Sequence, residues 1–264
     1  MKFGFIQIYN EVNWIGYAID QAVKLCDKIL IMEGAQYTNF PDIPERSNDG
    51  TLDIINDKTR QYPGIIKVMN TTRDHANYRI NQSQNFNLGL SLCNKGDYFI
   101  ILDADEFYTD ACISEMNELM EENEIEAIYI DVNFFMFSFK WLLDYGTVHS
   151  EEIAIKNVDG FHFRPTSQRI NVGKRSARIG GSNRFHYKLV KPKARLLTRM
   201  RTSMRYKGMV EWLEDAWQTL RLEDGVLHKD YHTNYTLHRY DGEHPGVLDN
   251  HPWRHIEDIR RLND

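Results

Sequence analysis

Short apolar runs alternate with longer segments of helical periodicity over the first hundred residues of the chain. The apolar runs share a length of five to seven residues and lie at 3–9, 28–32, 65–69 and 97–103. Between them, apolar positions recur at the spacing of a helix that buries one face. This alternation is typical of a parallel sheet covered by helices. We therefore predict an α/β fold with a mainly parallel, doubly wound sheet in its N-terminal half.

The pattern changes after residue 110. A helix is predicted for about 110–123, and an aromatic, partly alternating strand for 127–139. Residues 151–197 favour several antiparallel strands, with glycine-containing turns such as Gly180-Gly181. The C-terminal half is therefore predicted to be mixed and rich in β-structure.

Length and composition indicate one globular domain. The chain has 264 residues, of which 42% are hydrophobic, and no repeat or linker interrupts it. We expect a single domain over 1–264, with a parallel half, 1–110, and a mixed half, 111–264. No run reaches the roughly 20 apolar residues of a membrane span, and the N-terminal run does not have the form of a signal peptide. We expect a cytoplasmic protein whose three cysteines are reduced.

The net charge of −6 conceals a basic segment, Gly160–Val210. It holds fourteen Lys and Arg residues and no Asp or Glu, which leaves the remainder of the chain at about −20. Such a segment favours an anionic partner: phosphate, an acidic glycan, nucleic acid, or an anionic membrane surface bound peripherally. A solvated basic face is the alternative.

The main chemical signal follows the apolar run Tyr98–Leu102. Asp103 and Asp105 come directly after this predicted strand, and in an extended chain both project to the side opposite Ala104. Ligands of open α/β sheets bind beyond the carboxyl ends of the strands. Two carboxylates there can hold a hard divalent cation that also contacts substrate phosphates. The alternative is that both residues merely open the next loop.

Several segments together resemble the family 2 glycosyltransferases with the GT-A fold. They are the strand that ends before Asn10-Glu11, the strand Ile29–Met32 closed by Glu33, Ser47–Thr51, Gly96–Glu106 and, more weakly, Leu237–Pro245. The resemblance implies a GT-A, Rossmann-like sheet and a metal-dependent, inverting transfer of a sugar. The donor would be a nucleotide-diphosphate sugar, and the acceptor a hydroxyl of a glycan, a lipid-linked or another molecule. A UDP-sugar is the first choice, because Glu33 could accept a hydrogen bond from the imide N–H of uracil.

The same resemblance assigns residues to roles. Residues 1–110 would bind the nucleotide sugar, and 111–264 would form the acceptor side with a histidine-rich tail. The implied donor-binding residues are Tyr9, Asn10, Glu11, Glu33, Arg79 and Asp103. The implied ligands of Mn²⁺ or Mg²⁺ are Asp103, Asp105 and His238. The implied catalytic residues are Asp215, as general base, and its neighbour Glu214.

Some of these assignments have an alternative from the residues themselves. Glu214 and Asp215 also fit the polar face of a helix, and a histidine such as His238 commonly has a structural hydrogen-bonding role. A loop within Arg164–Arg205 could add charge-assisted contacts to the donor's phosphates.

Two other functions share some of these features. A nucleic-acid-binding protein could use the basic segment and its interleaved aromatic residues, and a nucleotidyltransferase could use the strand-end carboxylates. The chain is acidic overall, so we expect no nucleic-acid partner. The loop at 10–13 is not glycine-rich, which argues against a nucleotidyltransferase.

Overall fold

The structure, a computed structural model, describes residues 1–36, 43–144, 146–165, 175–202, 222, 227–229 and 234–262. Within these ranges no helix is long and apolar enough to cross a membrane. Cys26, Cys93 and Cys112 are free and buried, and burial raises the pKa of Cys112 to about 12. Their thiols are therefore packed into the core in the reduced form.

The N-terminal half alternates strands and helices. Its described elements are β1 (Lys2–Ile8), α1 (Ile15–Leu25), β2 (Lys28–Glu33), α2 (Thr51–Gln61), β3 (Ile66–Asn70), α3 (Tyr78–Leu92) and β4 (Tyr98–Leu102). The strands lie side by side in the order β4-β1-β2-β3, and each neighbouring pair is parallel. This confirms the predicted parallel sheet, and each predicted strand end lies within one residue of the observed end.

Helices cover both faces of this parallel sheet. On one face, Ile19 and Ala22 of α1 belong to the larger buried cluster. On the other, Phe86 of α3 packs with Phe5 of β1. The helix lies close to the strand because Gly89 has no side chain: an added Cβ would be 2.5 Å from Cδ2 of Phe5. Strands buried on both faces read as continuous apolar runs, which is why the sequence locates them well.

The C-terminal half extends the same sheet. Its described elements are β5 (Glu106–Tyr108), α4 (Asp110–Glu121), β6 (Ala127–Met136), β7 (Trp141–Asp144), β8 (Ser150–Lys156), β9 (Ser176–Leu189), α5 (Lys193–Thr202), β10 (Leu227–Lys229) and β11 (Asn234–Arg239). The order continues from β4 as β8-β6-β7-β11-β10, with antiparallel neighbours. Strand β9 runs parallel to β6 and antiparallel to β5. The sheet is mixed, with its parallel part in the core, as predicted.

Two details of this half differ from the sequence prediction. Within 151–197, which was predicted to form several antiparallel strands, α5 begins just after Pro192, whose carbonyl accepts the hydrogen bond of Leu196 at the start of the helix. Gly180 and Gly181 do not form a turn between two strands but lie inside β9, where the register with β6 shifts. Gly181 has a φ of 84°, which glycine adopts readily, so the pair makes an irregularity in one long strand.

Candidate functional site

The order of the strands creates a crevice between the carboxyl ends of β1 and β4. From β1 the chain proceeds to β2 and β3 on one side, and it returns with β4 on the other side of β1. Open α/β sheets bind ligands at such a switch point, because the loops leave the two strands in opposite directions. Asn10 and Glu11 follow β1, and Asp103 and Asp105 follow β4. We call this place the switch-point crevice.

The two aspartates of the motif have different surroundings. Asp103 is half-buried, and among the described residues its carboxylate has no hydrogen-bond or ion-pair partner. Asp105 is only 4% exposed. Its Oδ2 lies 2.8 Å from Nζ of Lys191, and its Oδ1 lies 3.5 Å from Nε2 of His186. Asp103 is therefore open to a ligand, whereas Asp105 is already engaged by protein groups.

Lys191 joins the two sides of the switch-point crevice. Its ammonium, which is 2% exposed, contacts Oε1 of Glu11 as well as Asp105. Four residues later, Arg195 donates from Nη2 to the carbonyl of Tyr9 at 2.7 Å and lies 3.6 Å from Oε1 of Glu11. Both cations belong to the basic segment, so part of that segment reaches the ends of β1 and β4.

The loop that carries Asp105 is fixed by the pairing of β5 with β9. Glu106 lies opposite His186 in this pairing, and its Oε2 accepts a hydrogen bond from Nε of the fully buried Arg184 at 3.0 Å. Arg184 also donates to Oε2 of Glu151 at 2.6 Å. Burial is the largest single influence and lowers the pKa of Arg184, but Glu106, Tyr108 and Glu151 together outweigh it and keep the pKa above its ordinary value. This buried ion pair fixes β5, and with it the neighbouring Asp105, to β9.

The loop of residues 47–51 docks on the ends of β1 and β2. Asn10, which has a left-handed φ of 53°, donates its backbone N–H to Oγ of Ser47 at 2.7 Å and accepts at Oδ1 from the N–H of Asn48 at 2.9 Å. The buried Glu33 accepts from the N–H of Ser47 at 2.7 Å and from Nε of Arg46. Both carboxylate oxygens of Glu33 are therefore engaged by the chain itself.

Of the remaining predicted residues, Arg79 and His238 are described, and they lie in different elements of the fold. Arg79 is half-buried in the first turn of α3, where its N–H is capped by Oδ1 of Asn77 at 3.0 Å. His238 is on β11, half-exposed, with its Nε2 3.6 Å from Oδ2 of Asp144. That strand is four positions from β4 in the sheet, or about 19 Å at the usual strand spacing. Glu214 and Asp215 lie outside the described residues.

Two other histidines of the tail pack in the aromatic cluster that contains Trp14 and Tyr187, and the sequence did not single them out. Nδ1 of His244 is 2.6 Å from the hydroxyl of Tyr187. Nε2 of His251 is 3.0 Å from the carbonyl of Asn13, and its ring stacks on Trp14 at 4.4 Å. Burial lowers the pKa of His244 to about 3 and that of His251 to about 4. Both imidazoles are therefore neutral supports of the core.

The implied metal ligands do not fit a divalent ion in this arrangement. In the described ranges, no group of three His, Cys, Asp or Glu side chains could hold a metal ion. An ion at Asp105 would meet the ammonium of Lys191 at close range, where like charges repel strongly because little water screens them. His238 does not lie with the aspartates. Of the three implied metal ligands, only Asp103 has a carboxylate that no described residue engages.

Known proteins include one family whose model matches the chain and several solved structures that resemble it distantly. The model of the family described as Glycosyl transferase family 2 matches residues 43–179, just over half of the chain. The crystal structure of S. aureus TarS 1–349 is similar at a TM-score of 0.47 and 10% identity, over 81% of this chain and 69% of that one. Mannose-6-phosphate isomerase from Helicobacter pylori gives a TM-score of 0.31 and 11% identity, over 89% of this chain and 85% of that one. Neither structural likeness is strong enough to carry an argument, and no curated protein sequence matches the chain.

Proposed function

Because the chain belongs to glycosyl transferase family 2 and is therefore a glycosyltransferase, we propose that the switch-point crevice binds a nucleotide-diphosphate sugar. The sugar passes with inversion to a hydroxyl of a glycan, a lipid-linked or another acceptor. The observation that carries this proposal is the open carboxylate of Asp103 at the end of β4, beside cations that reach the crevice from the basic segment.

Sugar transfer requires that the departing diphosphate be neutralised and that the donor be held in one orientation. Charge-assisted hydrogen bonds from cations meet the first need, and they help most where negative charge develops on the leaving group. A carboxylate accepts hydrogen bonds and donates none, so Asp103 suits the second need by accepting from hydroxyl groups of the donor. Arg79, at the carboxyl-end side of β3, is a further proposed donor contact.

We assign the nucleoside to the side of the crevice formed by the ends of β1 and β2. Tyr9, Asn10 and Glu11 follow β1, and Glu33 closes β2. UDP is the first choice of nucleotide. Since Glu33 already binds Arg46 and Ser47, the base would meet this network rather than an isolated carboxylate.

The acceptor hydroxyl needs a base that removes its proton. Asp215, with Glu214 beside it, remains the proposed general base. A base of this kind must come within hydrogen-bond reach of the acceptor hydroxyl.

The test is a screen of UDP-, GDP-, CMP- and dTDP-sugars for release of nucleotide, with the wild type and with Asp103→Asn. We expect one donor to be turned over, and we expect Asp103→Asn to lower the rate at least about tenfold, the effect of losing a hydrogen bond to a charged group. The melting temperature should not change, because Asp103 has no partner among the described residues. Asp159→Asn, at an exposed acid, is the matched control and should keep the wild-type rate. A wild type inert towards every donor, or equal rates for the two variants, would contradict the proposal.

A further inference from the structure

We propose that Lys191 is a built-in cation of the donor site, whose ammonium, in place of a divalent metal ion, balances Asp105 and contacts the donor's diphosphate. The inference rests on the proposed function, because it concerns the same switch-point crevice. It differs from the metal-dependent chemistry that the resemblance to the family implied.

The contacts of Lys191 place its charge between the carboxyl ends of β4 and β1. Nζ is 2.8 Å from Oδ2 of Asp105 and also contacts Oε1 of Glu11. These acids follow β4 and β1, the two strands that flank the switch point. An ammonium has three N–H donors, and in the described part of the chain these two acids are its partners. One donor is left for an oxygen of a ligand.

The position of this ammonium is set by the fold. Pro192 follows Lys191 directly and restricts the backbone at this point. Arg195 anchors the first turn of α5 to the carbonyl of Tyr9 at 2.7 Å, and Leu196 is fully buried. A lysine held in this way provides a fixed charge that needs no reorganisation when the leaving group becomes more negative.

A divalent ion at Asp105 would have to displace this ammonium. Glu11 would then lose its contact with the ammonium. The displaced lysine would still lie close to the ion, in a place where little water screens the two positive charges. Each of these changes costs free energy. In addition, no third His, Cys, Asp or Glu ligand joins the two aspartates among the described residues.

The competing explanation is that Lys191 only neutralises two acids and never contacts a ligand. Binding of UDP and GDP separates the two roles when it is measured by calorimetry in EDTA and in Mn²⁺, with the wild type and with Lys191→Met. We expect the wild type to bind one nucleotide equally well in both conditions. Lys191→Met should bind it at least about tenfold more weakly in EDTA, and Mn²⁺ should restore part of the affinity because the ammonium no longer competes with the ion for Asp105. Lys67→Met, at an exposed lysine of β3, is the control and should behave as the wild type.

The outcomes are distinct. Binding by the wild type only in Mn²⁺, or wild-type affinity of Lys191→Met in EDTA, overturns the inference and leaves the proposed function standing. Absence of nucleotide binding in both conditions overturns the proposed function and the inference with it. If Lys191→Met does not fold, as judged by circular dichroism, Lys191→Met/Asp105→Asn removes both charges together. This double variant should bind weakly in EDTA and in Mn²⁺ alike, and wild-type affinity in EDTA would overturn the inference.

Discussion

Asp103 and Asp105 are separated by one residue, yet only Asp105 is held by cationic and imidazole groups. The alternation of an extended strand would send both side chains to one side. Strand β4 ends at Leu102, however, and β5 begins at Glu106. The intervening residues turn, so alternation does not apply to them, and each aspartate faces a different environment.

The buried histidines of the tail make stability depend on pH. In the folded protein the pKa of His244 is about 3 and that of His251 about 4, whereas an imidazole in an unfolded chain titrates near about 6.5. At a pH between the folded-state and the unfolded-state pKa values, the unfolded state binds more protons than the folded state. The free energy of unfolding therefore falls as the pH decreases below about 6.5, by up to about 2.7 kcal/mol per pH unit for two groups.

Urea unfolding between about pH 5 and pH 6.5 measures this slope. His251→Gln should reduce the slope towards about 1.4 kcal/mol per pH unit, because one titrating group is lost. His162→Gln is the matched control: its imidazole is exposed, so the slope should stay at the wild-type value. A slope that is the same in all three proteins would show that the buried imidazoles do not control acid stability.

At the scale of elements, the distance between α3 and the sheet depends on one glycine. A Cβ at Gly89 would lie 2.5 Å from Cδ2 of Phe5 and 3.2 Å from Cε2 of Phe99. Both rings are buried in the core, so they cannot move aside without disturbing their neighbours. In contrast, a Cβ at Gly16 of α1 would make an ordinary contact, 3.4 Å from Cγ2 of Ile54.

This difference predicts opposite effects for the same substitution. Gly89→Ala should lower the free energy of unfolding by about 1–3 kcal/mol through overpacking. Gly16→Ala should raise it by up to about 1 kcal/mol, because alanine favours the helix and meets no obstacle. The midpoints of urea unfolding give both values. Equal shifts in the two variants would mean that α3 is free to move away from the sheet.

The elements that the sequence predicts well are those that local pattern encodes. Strands β1 to β4 are bounded apolar runs, and the residues at their ends follow from the general behaviour of parallel sheets. Strand β9 is different, because its parallel pairing with β6 joins distant segments and its Gly180-Gly181 pair resembles a turn. Contacts between distant segments are not encoded in the local pattern. The sequence therefore indicated cations somewhere in Arg164–Arg205 but could not select Lys191. Nor could it show that His238 lies four strands from β4.

At the scale of the whole molecule, five cations in the described part of the basic segment lie within ion-pair distance of acids. Arg178 lies 2.8 Å from Asp131, and Arg175 lies 3.5 Å from Glu124. Arg184, Lys191 and Arg195 contact acids of the site. The acidic remainder of the chain thus neutralises these cations within the protein.

This pairing, with the net charge of −6, predicts little affinity for nucleic acid. A fluorescent oligothymidine should bind at physiological salt with a dissociation constant weaker than about 10⁻⁴ M, the weak end of non-specific binding. Fluorescence anisotropy at low and at physiological salt provides the measurement, and binding of UDP to the same sample controls for a folded site. Micromolar binding that weakens steeply with salt would instead restore the nucleic-acid alternative.

The contact between Glu11 and Lys191 joins residues that are 180 positions apart in the chain. A ribosome that adds about 5–20 residues each second needs about 9 to 36 seconds to travel from one to the other. Strands β1 to β4 are complete well before that time, so the parallel core can form while the chain is still being made. During this interval the acids at its edge face water without their cation. The crevice therefore acquires its balance of charge late in synthesis, after the sheet that supports it.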